Sequence, residues 1–189
     1  MHMPSFEIIL MESSEKLQHV LDDGSVFDLY NACFADPPYE EFYSEEKIRS
    51  LFLSYWEKGL LLFCFEREKK EIIGFAAAVP LKYETEISEL SKSYGYDPFN
   101  DWYSADLGIK KGFRRKGIAT QMVKSLIQYI PSKRLIMRTQ ENNVASQACH
   151  MKLGFRIIEG MEQDVSIERI SGDVKVDKRI FLSYDKPDR

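Results

Sequence analysis

Residues Lys110 to Thr120 read KKGFRRKGIAT, and the rest of the chain is most easily placed around them. Five cationic side chains and two glycines stand between a β-like run, Trp102–Ile109, and an amphipathic stretch, Gly117–Tyr129. A basic, glycine-bearing turn that opens a helix is an anion site. The first backbone N–H groups of a helix have no internal partner and point along its axis. Arg and Lys side chains beside them add charge-assisted hydrogen bonds. The competing reading is a solvated basic loop with an incidental glycine.

Upstream of the turn, Phe6–Met11 reads as a first strand. Ser25 to Ala35 reads as a helix with Val26, Leu29 and Tyr30 on one face, stopped by Asp36-Pro37-Pro38. Ser44 caps a second helix whose stripe is Ile48, Leu51, Phe52 and Tyr55 and whose end is Gly59. The apolar runs Leu60–Phe65 and Ile72–Val79 form a hairpin. Leu81–Asn100 is expected to be irregular, with a short helix near Ile87–Ser91. Downstream follow a strand at Leu135–Arg138, a helix at Ala145–Leu153 closed by Gly154, and two strands, Phe155–Ile158 and Arg179–Tyr184. Strands alternating with helices predict an α/β or α+β class with a mixed sheet.

Composition narrows the function. With 189 residues, 44% of them hydrophobic, the chain is expected to form one domain with a substantial core. A net charge of −4 argues against a general nucleic-acid binder and makes the basic cluster local. No apolar run approaches the ~20 residues of a membrane span, and no leader pattern is legible at the N-terminus. Cys33, Cys64 and Cys149 match neither a disulfide framework nor a zinc pattern, so the expectation is a reducing cytoplasm and no metal.

Two phosphate motifs fail on the turn. There is no G-x-G-x-x-G after a strand. Gly112 and Gly117 have P-loop spacing, but Ile118 occupies the lysine position. What remains is Arg114-Arg115-Lys116-Gly117-Ile118-Ala119, an R-x-x-G-x-A run. Together with Asn143–Phe155, which reads N-x-x-S-x-x-x-H-x-x-x-G-F, it resembles the paired signatures of the GNAT (GCN5-related) N-acetyltransferase superfamily.

That resemblance implies a mixed, mostly antiparallel sheet of about seven strands flanked by helices, and acetyl-CoA as co-substrate. By position, Leu107, Gly108 and Ile109 would carry the pantetheine arm along the strand. Arg114, Arg115, Lys116, Gly117, Ile118, Ala119 and Thr120 would hold the pyrophosphate, and Asn143 and Ser146 would sit near the thiol end. His150 stands where many relatives have a tyrosine that protonates the leaving thiolate; it is either that acid or a packed helix residue. The implied reaction is direct transfer to an amine, with no acyl-enzyme.

A protonated amine needs a base. Asp106, with Tyr103 behind it on the same wall, is the best-placed carboxylate, the alternative being an edge charge. The run Asp36–Glu46 between the first two helices, with Tyr39, Tyr43 and five acids, and the aromatic-acidic segment holding Tyr96 and Trp102, are candidate walls for a small-molecule or peptide amine. The alternative is a helix start and a pinned loop. A catalytically silent acyl-CoA sensor or interaction module is the alternative to an enzyme. Monomer and homodimer are both open.

Overall fold

The computed structural model describes residues 5–35, 39–168 and 171–187. In chain order its elements are β1 (Phe6–Leu10), α1 (Ser14–Asp22), α2 (Ser25–Phe34), α3 (Glu45–Lys58), β2 (Leu60–Glu66), β3 (Ile72–Pro80), α4 (Thr85–Lys92), β4 (Trp102–Ile109), α5 (Ile118–Tyr129), β5 (Arg134–Gln140), α6 (Val144–Met151), β6 (Arg156–Glu168) and β7 (Val174–Asp185). The strands form one mixed sheet in the order β1-β2-β3-β4-β5-β7-β6, in which only β4 and β5 run parallel. The expected α/β class and seven-stranded, mostly antiparallel sheet are therefore observed. The proline stop at Asp36-Pro37-Pro38 lies outside the described residues.

Strand alternation sends the sheet's side chains into two cores. Leu61 and Phe63 of β2 pack with Leu17, Leu29, Ile48 and Phe52 from α1, α2 and α3. Their neighbours Leu62 and Cys64 pack on the other face with Met122, Val123 and Leu126 of α5. Each such fully buried aliphatic side chain contributes about 1.5–3 kcal/mol. The helices between Ser14 and Lys58 thus cover one face, and α5 covers the other.

Two irregularities create the cleft. Between β3 and β4 the register passes from Ala77↔Asp106 to Ala78↔Ser104, so Ala105 is an extra, bulged residue. A bulge re-aims the side chains around it. Here it brings Tyr103 and Asp106, three residues apart, to the same α1–α3 face, while Leu107 and Ile109 join the α5 face. On its other side β4 pairs with β5 only from Trp102↔Leu135 to Ser104↔Met137. Beyond Ser104 the two strands part. The β4 backbone from Ala105 to Ile109 has β3 on one side and no strand on the other.

Two elements differ from the sequence reading. Helix α1 was not foreseen, although Ser13 caps it and Leu17, Val20 and Leu21 are its buried stripe. In residues 81–100 the short helix expected near Ile87–Ser91 is present as α4, with Ile87 buried. The short C-terminal strands are instead a long hairpin of 13 and 12 residues, and β7 lies between β5 and β6 in the same sheet.

Candidate active site

The splayed strands open a cleft of about 1420 Å³. One wall is β4 from Tyr103 to Ile109, followed by the start of α5. The other is the end of β5 with α6. The rest of the lining comes from Tyr30, Tyr39, Glu41 and Tyr43, from Arg179 of β7, and from Val165–Glu168 of the long hairpin.

The basic turn lies at one mouth. Gly117 is left-handed, with φ 81°, and precedes α5 without a side-chain cap. The first N–H groups of the helix are therefore left to an outside acceptor. A Cβ at Gly117 would meet no atom within 4 Å, so the space over the turn is open. Arg115 is also left-handed, with φ 64°, an unusual conformation for a non-glycine residue.

The cations do not act as a group. Lys110 pairs with Glu71, and Lys116 Nζ donates to Gly112 O at 2.9 Å. Arg114 folds back, its Nε donating to Ile109 O at 2.9 Å and Nη2 to Cys33 O at 3.4 Å. Arg115 is exposed on the cleft wall, whereas Lys116 does not line the cleft. Gly108 has a packing reason of its own: a Cβ there would stand 2.4 Å from the Phe75 ring.

Asp106 stands at the bulge with Oδ2 accepting from Tyr55 Oη at 2.6 Å and Tyr30 Oη at 3.2 Å. Withdrawal from water pushes its carboxyl up to about 6; the two tyrosine hydroxyls pull the other way, and the nearby charges of Glu84 and Glu41 add to the rise. Burial, and after it the charge of the same carboxylate, holds the Tyr30 and Tyr55 hydroxyls protonated. Tyr103 is fully enclosed, and burial raises its hydroxyl as well.

His150 is 1% exposed, with its ring edge-on to Phe155 at 5.0 Å. Its Nδ1 lies 2.8 Å from Ser146 O. A carbonyl oxygen can only accept, so the ring hydrogen belongs to Nδ1. Burial lowers the imidazole's basicity, which keeps the ring neutral. Nε2 is buried without a partner and carries a lone pair. The geometry thus gives Nε2 an acceptor's role, where a donor to a leaving thiolate needs a proton.

Asn143 caps α6 through Oδ1, which accepts from Ser146 N at 3.1 Å, and its Nδ2 donates to Tyr39 Oη at 2.8 Å. Tyr39 is thereby held in the cleft wall, and Tyr43 Oη donates to Glu41. Tyr96 and Trp102 are not brought there. Tyr96 lies under the Arg134 guanidinium at 4.8 Å, and Trp102 packs in the α5 core at the far end of β4. Glu41 belongs to the acidic run Asp36–Glu46, whereas Tyr30, Tyr55 and Arg179 were missed as site residues. Tyr30 and Tyr55 are visible in the sequence only as members of apolar helix stripes. Among the described residues no cluster of three or more His, Cys, Asp or Glu side chains is placed to hold a metal.

Residues 24–155 match the model of the acetyltransferase (GNAT) family, which is well over half of the chain, and the protein belongs to that family. Solved structures show the same fold at low identity. A putative phosphinothricin N-acetyltransferase superposes with a TM-score of 0.68 at 17% identity, covering 97% of this chain and 100% of that one. The Escherichia coli ribosomal-protein-S18-alanine N-acetyltransferase gives 0.65 at 14%, covering 98% and 96%. The putative acetyltransferase yncA of Salmonella typhimurium, solved with its cofactor acetyl-CoA, gives 0.66 at 10%, covering 98% and 96%. No curated protein sequence matches significantly.

Proposed function

We propose that this protein is an acetyl-CoA-dependent N-acetyltransferase that moves the acetyl group to a primary amine by direct transfer within a ternary complex. The observation that carries the reading is Asp106: a carboxylate held by two tyrosine hydroxyls, raised to about 6, at the bulge where β4 loses its strand partner. A general base works best with a pKa near the operating pH.

The residues present fit coenzyme A. The open β4 edge from Ala105 to Ile109 offers backbone donors and acceptors to an amide-bearing arm, as an added strand would use them. The uncapped start of α5, with open space over Gly117 and with Arg115 beside it, suits a diphosphate. Ser146 lies in the same cleft wall. Bound there, acetyl-CoA supplies an activated thioester carbonyl.

The chain's own residues prepare the amine. Asp106, ionised above about pH 6, takes one proton from the acceptor's ammonium and leaves a neutral nucleophile. Tyr55 and Tyr30 keep the carboxylate oriented. Tyr103 closes the wall behind it, and Tyr39 and Tyr43 border the acceptor. His150 stays neutral and its Nε2 can only accept a hydrogen bond, so the amine's second proton goes to the departing thiolate. Cys149 Sγ lies 3.5 Å from Thr120 Oγ1 and takes no covalent role. The C-terminal hairpin and the 39–43 loop form the acceptor side, and the whole described chain serves one acetyltransferase domain.

Free-thiol release measured with acetyl-CoA and a broad amine panel tests the proposal. Amine-dependent release is expected. Tight acetyl-CoA binding with no release by any amine would instead favour a silent acyl-CoA-binding module.

A further inference from the structure

Arg179 is a charged side chain that the proposed chemistry leaves unused. It is 9% exposed, it lines the acceptor end of the cleft, and its Nε is buried without a hydrogen-bond partner. Its nearest carboxylates, Glu41 and Asp177, stand at 3.7 and 3.8 Å, beyond hydrogen-bond length. Both have closer donors. Glu41 accepts from Tyr43 Oη, while Asp177 pairs with Lys175 at 2.8 Å and accepts from Gln140 Nε2. The guanidinium lies over the Tyr39 ring at 5.7 Å. Stacking leaves the in-plane N–H groups available for an anion.

Arg179 Nε is thus an unmet donor, and Nη2 makes only long ion pairs with Glu41 and Asp177. That arrangement is costly for a buried guanidinium, and an anion would relieve it. The planar fork of donors matches a carboxylate in bidentate fashion. The same cleft holds Asp106, which takes the amine end. A cationic partner finds Glu41 and Asp106 here, and an anionic one finds Arg179. A molecule with both groups uses the whole site.

We infer that the acceptor is a free amino acid, a small molecule with a primary amine and a carboxylate, and that Arg179 binds the carboxylate. This rests on the acetyltransfer reading above. Polyamines and amino sugars lack the anion. A peptide offers an uncharged carbonyl where the free acid offers a carboxylate.

The test compares free amino acids, their carboxamides and short peptides with the same first residue, by thiol release from acetyl-CoA. The expected result is a preference for the free acid of about tenfold to a hundredfold in kcat/KM. Arg179→Gln should remove that preference by raising KM for the acid, so that acid and carboxamide reach similar kcat/KM, and Arg179→Lys should restore part of it. Calorimetric titration with acetyl-CoA checks that each variant is folded; should Arg179→Gln fail there, the wild-type acid-to-amide ratio decides alone. Amides or peptides turned over as well as the acids would overturn the inference while sparing the acetyltransfer reading. So would turnover confined to other amines. Absence of acetyl-CoA binding, or of turnover on every amine, would overturn both.

Discussion

At the residue scale the account turns on Asp106. Because it acts ionised, kcat/KM should climb with pH through an apparent pKa of about 6 and level above it, once the amine's own ionisation is divided out. Asp106→Asn should lower turnover by roughly 10²–10⁴-fold and abolish that inflection. Its effect on stability has the opposite sign. The folded state raises this carboxyl from 3.8, so the folded protein binds the proton more tightly than the unfolded chain does. The stability it contributes is complete below pH 3.8 and is lost as pH rises through about 6. The non-ionising Asn variant should therefore melt higher than wild type at pH 8, as read by calorimetry, and match it more closely at pH 4. Tyr55→Phe removes the 2.6 Å hydrogen bond that favours the charged form, so the kinetic inflection should move up by about one unit.

At the element scale the turn before α5 is the exposed claim. Gly117→Val forces a β-branched residue to φ 81° and puts methyl groups into the space a phosphate needs. Strain of about 1–3 kcal/mol is expected in the melting temperature, together with a loss of acetyl-CoA affinity well beyond tenfold by calorimetry. Affinity near wild type would remove the turn from the binding site.

This scale also shows what the sequence makes legible. The turn, the strand before it and the helix after it were readable because glycine, charge and periodicity agree there. Helix α1 was not, since its stripe of Leu17, Val20 and Leu21 is sparse and set among charged residues. The long hairpin was missed because its outer half carries few large apolar side chains and stays largely solvated. Yet that half supplies Val165–Glu168 to the cleft, and β7 supplies Arg179. The bulge at Ala105 leaves no signature in composition, so the shared orientation of Tyr103 and Asp106 emerges only from the strand register. The five cations were overcounted for a similar reason: Lys110, Arg114 and Lys116 find partners within the chain that sequence spacing does not reveal.

At the scale of the whole molecule, the sheet divides the work. One core, built on α1, α2 and α3, backs the Asp106 carboxylate; the other, built on α5, backs the basic turn. The cleft is where the two meet along β4. A ligand that bridges both should stabilise the entire fold by mass action, about 2.7 kcal/mol at a hundredfold excess over Kd. A concentration-dependent rise in Tm with acetyl-CoA, absent in Gly117→Val, is the expected readout. No described helix is long and apolar enough to cross a membrane.

The most direct measurement is product analysis by mass spectrometry after incubating a panel of primary amines with acetyl-CoA at pH 8, using wild type and Asp106→Asn side by side. The account predicts an N-acetylated amine formed by wild type and strongly reduced product with the variant, both proteins binding acetyl-CoA alike. Equal product from the two proteins, or none from wild type despite bound acetyl-CoA, would contradict it.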